Sequence, residues 1–121
     1  MRIDKDLVAA SATPLVLGIL AEGDSSYGYA ILKRIRELSD GDLEWTDGML
    51  YPLLHRLERM GQVRSSWQTS DAGRRRKHYS LTDAGRAALA DRRGQWAVVS
   101  EALDRVWQQR TPIAPTRVVG P

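Results

Sequence analysis

Gly73-Arg74-Arg75-Arg76-Lys77 places four consecutive cations behind a glycine. Their mutual repulsion has to be offset by something, and a polyanion does so well: arginine forks meet phosphate oxygens and are drawn to a negative minor groove. A short way upstream, Gly48, Pro52, His55 and Arg59 follow one another at spacings of four, three and four residues. At about 100° per residue these share one side of a helix, flanked by Tyr51 and Arg56. Small or rigid residues near the start of that side permit close approach to a duplex. The Tyr51 hydroxyl can donate to a phosphate, and His55, Arg56 and Arg59 can reach phosphates or base edges. Each motif alone has a plainer reading, a solubilising turn or a solvated helix face. Together, within about thirty residues, they point to nucleic acid.

Other chemistry is hard to assemble. The chain has no cysteine, which excludes a disulfide framework, a thiolate zinc site and a cysteine nucleophile, and fits a cytoplasmic location. His55 and His78 are the only histidines and have no partners at metal-ligand spacing. Ser25 and Ser26 lack a base at readable spacing and look like helix caps. No phosphate-loop or dinucleotide glycine pattern occurs. The expectation is therefore no enzyme, no metal and no cofactor. Acids at Asp4 and Asp6 do not suit a secretory leader, and the apolar run 14–21 is too short to span a bilayer, so no membrane partner is expected.

The charge is segregated. Residues 1–49 hold five Lys/Arg against nine Asp/Glu, whereas residues 50–81 hold seven against two. A basic middle in a mixed chain is the footprint of a polyanion-binding face. With 121 residues, 42% apolar and 27% charged, the chain suits one small globular domain and some extra length.

The elements that must position these residues follow from periodicity and punctuation. A first helical region covers residues 4–21, either two helices or one kinked at Pro14. A second covers 27–39, capped by Ser25 or Ser26, with Tyr27, Ala30, Ile31, Ile35 and Leu38 as its apolar stripe. A third runs from the N-cap Thr46 to Met60 and stops at Gly61, burying Leu50, Leu53, Leu54, Leu57 and Met60. Two strands, 63–69 and 77–81, flank a hairpin tip at 70–76 that carries the cations. Trp45 and Trp67 read as structural.

The last helix starts at the cap Thr82 and reaches about residue 110. Leu89, Trp96, Val99, Leu103 and Val106 fall at heptad-like spacings, a seam that so small a body cannot bury and that wants a partner helix. The tail 111–121, with three prolines and a glycine, reads as disordered. The fold expected is mainly α with a two-stranded wing. Residues 1–81 form a winged helix-turn-helix, whose first helix is a candidate for the dimer interface, and 82–110 form a dimerisation helix.

The stretch from Asp47 through Gly48-Met49-Leu50-Tyr51-Pro52 to Arg56-Leu57-Glu58 and Gly61 resembles the recognition-helix signature of the PadR family of regulators, with Met49 where a threonine is usual. Tyr27-Gly28-Tyr29 resembles the family's entry to its second helix. The segment from Gly73 to Thr82, with Gly85, resembles its wing, second strand and helix start. The resemblance covers about residues 13–107. It implies a homodimeric repressor on a pseudo-palindromic operator in double-stranded DNA, released by a small molecule. Tyr51 and the start of the third helix would contact DNA, with Arg74, Arg75, Arg76 and Lys77 as wing contacts. Trp96, with Val99 and Leu103, is then a candidate site for a planar aromatic effector, because paired indoles offer stacking faces; an ordinary interface tryptophan is the plainer reading. The competing function is a winged-helix adaptor that presents its basic wing to an acidic protein.

Overall fold

The computed structural model describes residues 1–109, and its elements run α1 (Lys5–Leu20), β1 (Ser26–Tyr27), α2 (Gly28–Leu38), α3 (Asp47–Arg59), β2 (Val63–Thr69), β3 (Arg75–Leu81) and α4 (Asp83–Gln109). The tail expected to be disordered lies outside the described residues. Contacts divide the chain into two units, Met1–Ala90 and a second from Asp91 onward.

In the first unit the core is made by the helical stripes. Val16, Leu17 and Leu20 of α1, Ile31 and Ile35 of α2, and Leu50, Leu54 and Leu57 of α3 are buried with Val63, Tyr79 and Leu81 of the strands. Two members of the expected stripes are exposed, Leu38 at 48% and Met60 at 56%, while Tyr27 and Ala30 are only half-buried. Leu38 and Met60 lie at helix C-termini, where the chain turns off before the next element covers them. Trp45 is buried as expected, and its indole N–H has no hydrogen-bond partner.

α1 is one continuous helix through Pro14 rather than two. The missing N–H removes one ladder bond, and burial of Thr13, Val16 and Leu17 on either side outweighs that loss. α3 likewise continues through Pro52. It ends where Gly61, at φ 75°, takes the left-handed conformation that a side chain disfavours, and the Gln62 N–H bonds back to the Leu57 carbonyl.

The sheet has three strands, not the two expected, in the order β1-β3-β2, all antiparallel. Ser26 pairs with Tyr79 and Tyr27 with His78, so Ser26, one of the two expected caps of α2, lies in a strand with Tyr27 instead. Tyr27 takes the N-cap position without a side-chain cap bond, and the Ser25 hydroxyl lies 3.2 Å from His78 Nδ1. The turn also differs. Ser70 N–H donates to the Arg74 carbonyl and Gly73 N–H to the Ser70 carbonyl, both at 2.8 Å, which closes the loop over 70–74. Arg75 and Arg76 therefore join Lys77 in β3 and are not part of the hairpin tip, because a tight hydrogen-bonded loop uses only the residues it needs.

α4 begins on a cap as expected. Thr82 Oγ1 accepts from the Gly85 N–H at 3.0 Å and donates to the Gly61 carbonyl at 2.6 Å, which ties the helix start to the end of α3. In the second unit, Val99, Leu103 and Val106 are about half exposed, and Trp107 is exposed beside them. One i,i+4 ion pair runs along the helix there, Arg105 on Glu101 at 3.1 Å.

Candidate nucleic-acid interface

α3 is held by its leucine face, so its other sides are free to present side chains. Thr46 and Gly48 are exposed at its start, and Arg59 is exposed in its last turn. Neither α2 nor α3 has a side-chain cap, so the N–H groups and positive dipole at each start stay available.

The outer face of α3 is split between two concavities. Tyr51 and His55, with ring centroids 6.5 Å apart, line one of about 670 Å³. Its other walls are Tyr27, Gly28 and Tyr29 at the α2 start and Trp67, Arg74, Arg75, Arg76, Lys77 and Tyr79 of the hairpin. Pro52 and Arg56 instead line a more apolar groove of about 540 Å³ against α1, with Val8, Ala12, Trp45, Met49 and Leu53. Arg56 Nη2 lies 3.5 Å from Thr13 Oγ1. The structure thus brings Tyr51 and His55 together with all four hairpin cations, and sets Pro52 and Arg56 apart from them.

Strand alternation divides the cations in turn. Trp67 pairs with Lys77, Ser65 with Tyr79 and Thr69 with Arg75, so these six share the sheet face whose base is buried under α3. Arg64, Gln68, Arg76 and His78 occupy the opposite face. The cations are splayed over aromatic rings: the Arg75 guanidinium is 4.9 Å from the Trp67 ring, Arg76 is 4.4 Å from Tyr27, and Lys77 Nζ is 5.8 Å from Tyr79. Each such contact contributes about 0.5–1 kcal/mol at an exposed site, enough to restrict a long side chain while leaving its charge in water.

The hairpin is anchored to α3 from below. Ser65 Oγ donates to Glu58 Oε2 at 2.6 Å. Burial pushes the Tyr79 phenol above its ordinary pKa of 10.0, with further upward pressure from Tyr51 and Glu58. Among the described residues no cluster of His, Asp or Glu could hold a metal ion, and no helix is long and apolar enough to cross a membrane.

Trp67 is the residue that sequence reasoning misplaced. It is 59% exposed and not structural. Its even offset from Val63 puts it on the buried face of β2, and only the structure shows that burial on that face ends before residue 67.

Three helices followed by a basic hairpin that pairs back onto the strand before α2 define a winged helix-turn-helix. The chain belongs to the transcriptional regulator PadR-like family, whose model matches residues 16–91. It is 45% identical over 69 residues to a transcriptional regulator of Mycobacterium tuberculosis, Rv3488, a match covering 56% of this chain and 64% of that one. A solved PadR-family regulator from Eggerthella lenta is 32% identical, with a TM-score of 0.69 over 84% of this chain and 86% of its own. A transcriptional regulator from Clostridium thermocellum is 27% identical, with a TM-score of 0.75 over 85% and 96%. All three are described as transcriptional regulators.

Proposed function

We propose that this chain is a sequence-specific DNA-binding regulator, a cytoplasmic homodimer that represses by occupying a pseudo-palindromic operator. The observation that carries this reading is the shared concavity of α3 and the hairpin, where Tyr51 and His55 face Arg74, Arg75, Arg76 and Lys77. A helix backed by leucine and a cationic wing on one side of the body is the arrangement that meets a major groove and the backbone beside it. Thr46, Gly48 and Arg59 complete the α3 contacts. Pro52 and Arg56 contribute from the side nearer α1.

The homodimer is supported by Val99, Leu103 and Val106, exposed at heptad spacing on α4 and continuing the line of Leu89 and Trp96. A two-fold assembly presents two α3 helices to half-sites about one helical turn apart. Release by a planar aromatic molecule at Trp96, Val99 and Leu103 rests on the family resemblance, with the partly exposed indole as its local support.

The test is a gel shift against the DNA flanking the chain's own gene, over a range of salt. Sequence-selective binding that weakens steeply with salt is expected; its absence at low salt sinks the reading. Leu103→Glu should yield a monomer by sedimentation and a large loss of operator affinity. If tryptophan fluorescence does not respond to a panel of planar aromatics, the effector part fails alone.

A further inference from the structure

The hairpin presents an indole where a cationic wing needs none. Trp67 pairs across the strands with Lys77, and the guanidinium of Arg75 on the same sheet face sits 4.9 Å from its ring. Below it the same sheet face is buried at Val63, Tyr79 and Leu81, whereas Trp67 itself is 59% exposed and borders the concavity shared with Tyr51 and His55. An exposed aromatic on its own needs no explanation. Here its neighbours narrow the possible occupants. An apolar protein surface covering this indole would have to strip water from Arg75 and Lys77 without compensation. A nucleic-acid backbone offers both what the indole and what the cations require: deoxyribose C–H surface for the ring, and phosphate oxygens for the indole N–H, the guanidinium and the ammonium.

We propose that Trp67 is a DNA-contacting residue of the wing, packing its indole on a deoxyribose and donating its Nε1–H to the adjacent phosphate, with Arg75 held extended across its outer face toward the same backbone. The inference rests on the DNA-binding reading above and adds to it a contact that carries no charge. Such a contact contributes affinity without counterion release, so it differs measurably from its arginine neighbour.

The experiment uses the full chain and a duplex selected by it from a random-sequence pool. Trp67→Ala should weaken binding about tenfold, the size of losing one aromatic contact to nucleic acid, with the salt slope unchanged, and Trp67→Phe should restore only the share that comes from ring packing, since it lacks the N–H donor. Arg75→Ala should instead lower the salt slope by about one. In the Arg75→Ala background, Trp67→Ala should still cost several-fold. In chain labelled with 5-fluorotryptophan, the fluorine signal assigned by Trp67→Phe should move on duplex binding and lose its solvent isotope shift. Binding by Trp67→Ala within twofold of the native chain overturns the proposal, as does a fluorine signal indifferent to saturating duplex. A Trp67 effect that vanishes once Arg75 is gone reduces the indole to a prop and overturns the direct contact. A native chain that selects no duplex overturns the DNA-binding reading itself, a result separate from all of these.

Discussion

The phenol of Tyr51 lies directly against the Cα of Gly28. A Cβ built at residue 28 would collide with the Tyr51 hydroxyl and sit 2.7 Å from its Cζ. The start of α2 therefore packs against an α3 side chain whose hydroxyl can donate to a phosphate, and a missing side chain makes room for it.

Gly28→Ala tests that relationship. The backbone there is not in the left-handed region, so alanine itself is tolerated and the clash falls on Tyr51. The expected result is a folded protein with duplex affinity about tenfold weaker, comparable to Tyr51→Phe, since each removes one charge-assisted hydrogen bond. Fluorescence anisotropy of a labelled duplex reads both. The double variant should be little weaker than Gly28→Ala, because the two changes act on one contact.

Arg75 and Arg64 are expected to behave differently in salt. Arg75 shares the α3-facing side with Trp67 and Lys77, whereas Arg64 lies on the opposite side. Arg75→Ala should lower the slope of log affinity against log salt by about 0.9, the loss of one phosphate contact. Arg64→Ala should leave the slope nearly unchanged. Equal effects would mean that net charge, and not placement, drives binding.

Gly85 is expected to be a stability position. A Cβ there would run into the Gln62 carbonyl oxygen, with the carbonyl carbon 3.0 Å away, and Gln62 also accepts from the Thr82 N–H at 3.1 Å. Backbone cannot give way as a flexible side chain can. Gly85→Ala should destabilise by about 1–3 kcal/mol through overpacking, despite alanine's better helix propensity. Thr82→Ala should cost about 1 kcal/mol through the lost cap. Thermal melts followed by circular dichroism measure both.

Alkaline conditions should weaken the fold through Tyr79. Its folded pKa lies above the ordinary 10.0, so as pH rises past that value the unfolded chain loses the phenolic proton while the native chain keeps it. The native state then binds more protons, and stability falls with rising pH until the folded phenol also ionises. Tyr79→Phe should remove this component, visible as a shallower decline of the melting temperature above about pH 10. A decline as steep as that of the native chain would place the alkaline sensitivity elsewhere.

Much of the helical frame was legible because its determinants are local. Leu50, Leu53, Leu54 and Leu57 recur at helical spacing and are all buried; Gly61 stops α3, and Thr82 caps α4. β1 was not legible, since two residues show no period and Ser26 and Tyr27 become a strand only through pairing with residues some fifty positions later. The placement of Arg75 and Arg76 depended on where the loop closed, which the Ser70 hydrogen bonds decide.

Composition and spacing alone determined that this chain has a leucine-backed helix, a cationic hairpin after it and a long helix with an apolar seam, because side-chain periodicity and turn chemistry act over a few residues. Only the tertiary structure decided which of those side chains meet. It turned Tyr51 and His55 toward the wing and Pro52 and Arg56 toward α1, and it left Trp67 exposed under the Arg75 guanidinium. Those outcomes depend on which element lies beside which, and burial of the shared core, not any local preference, makes that choice.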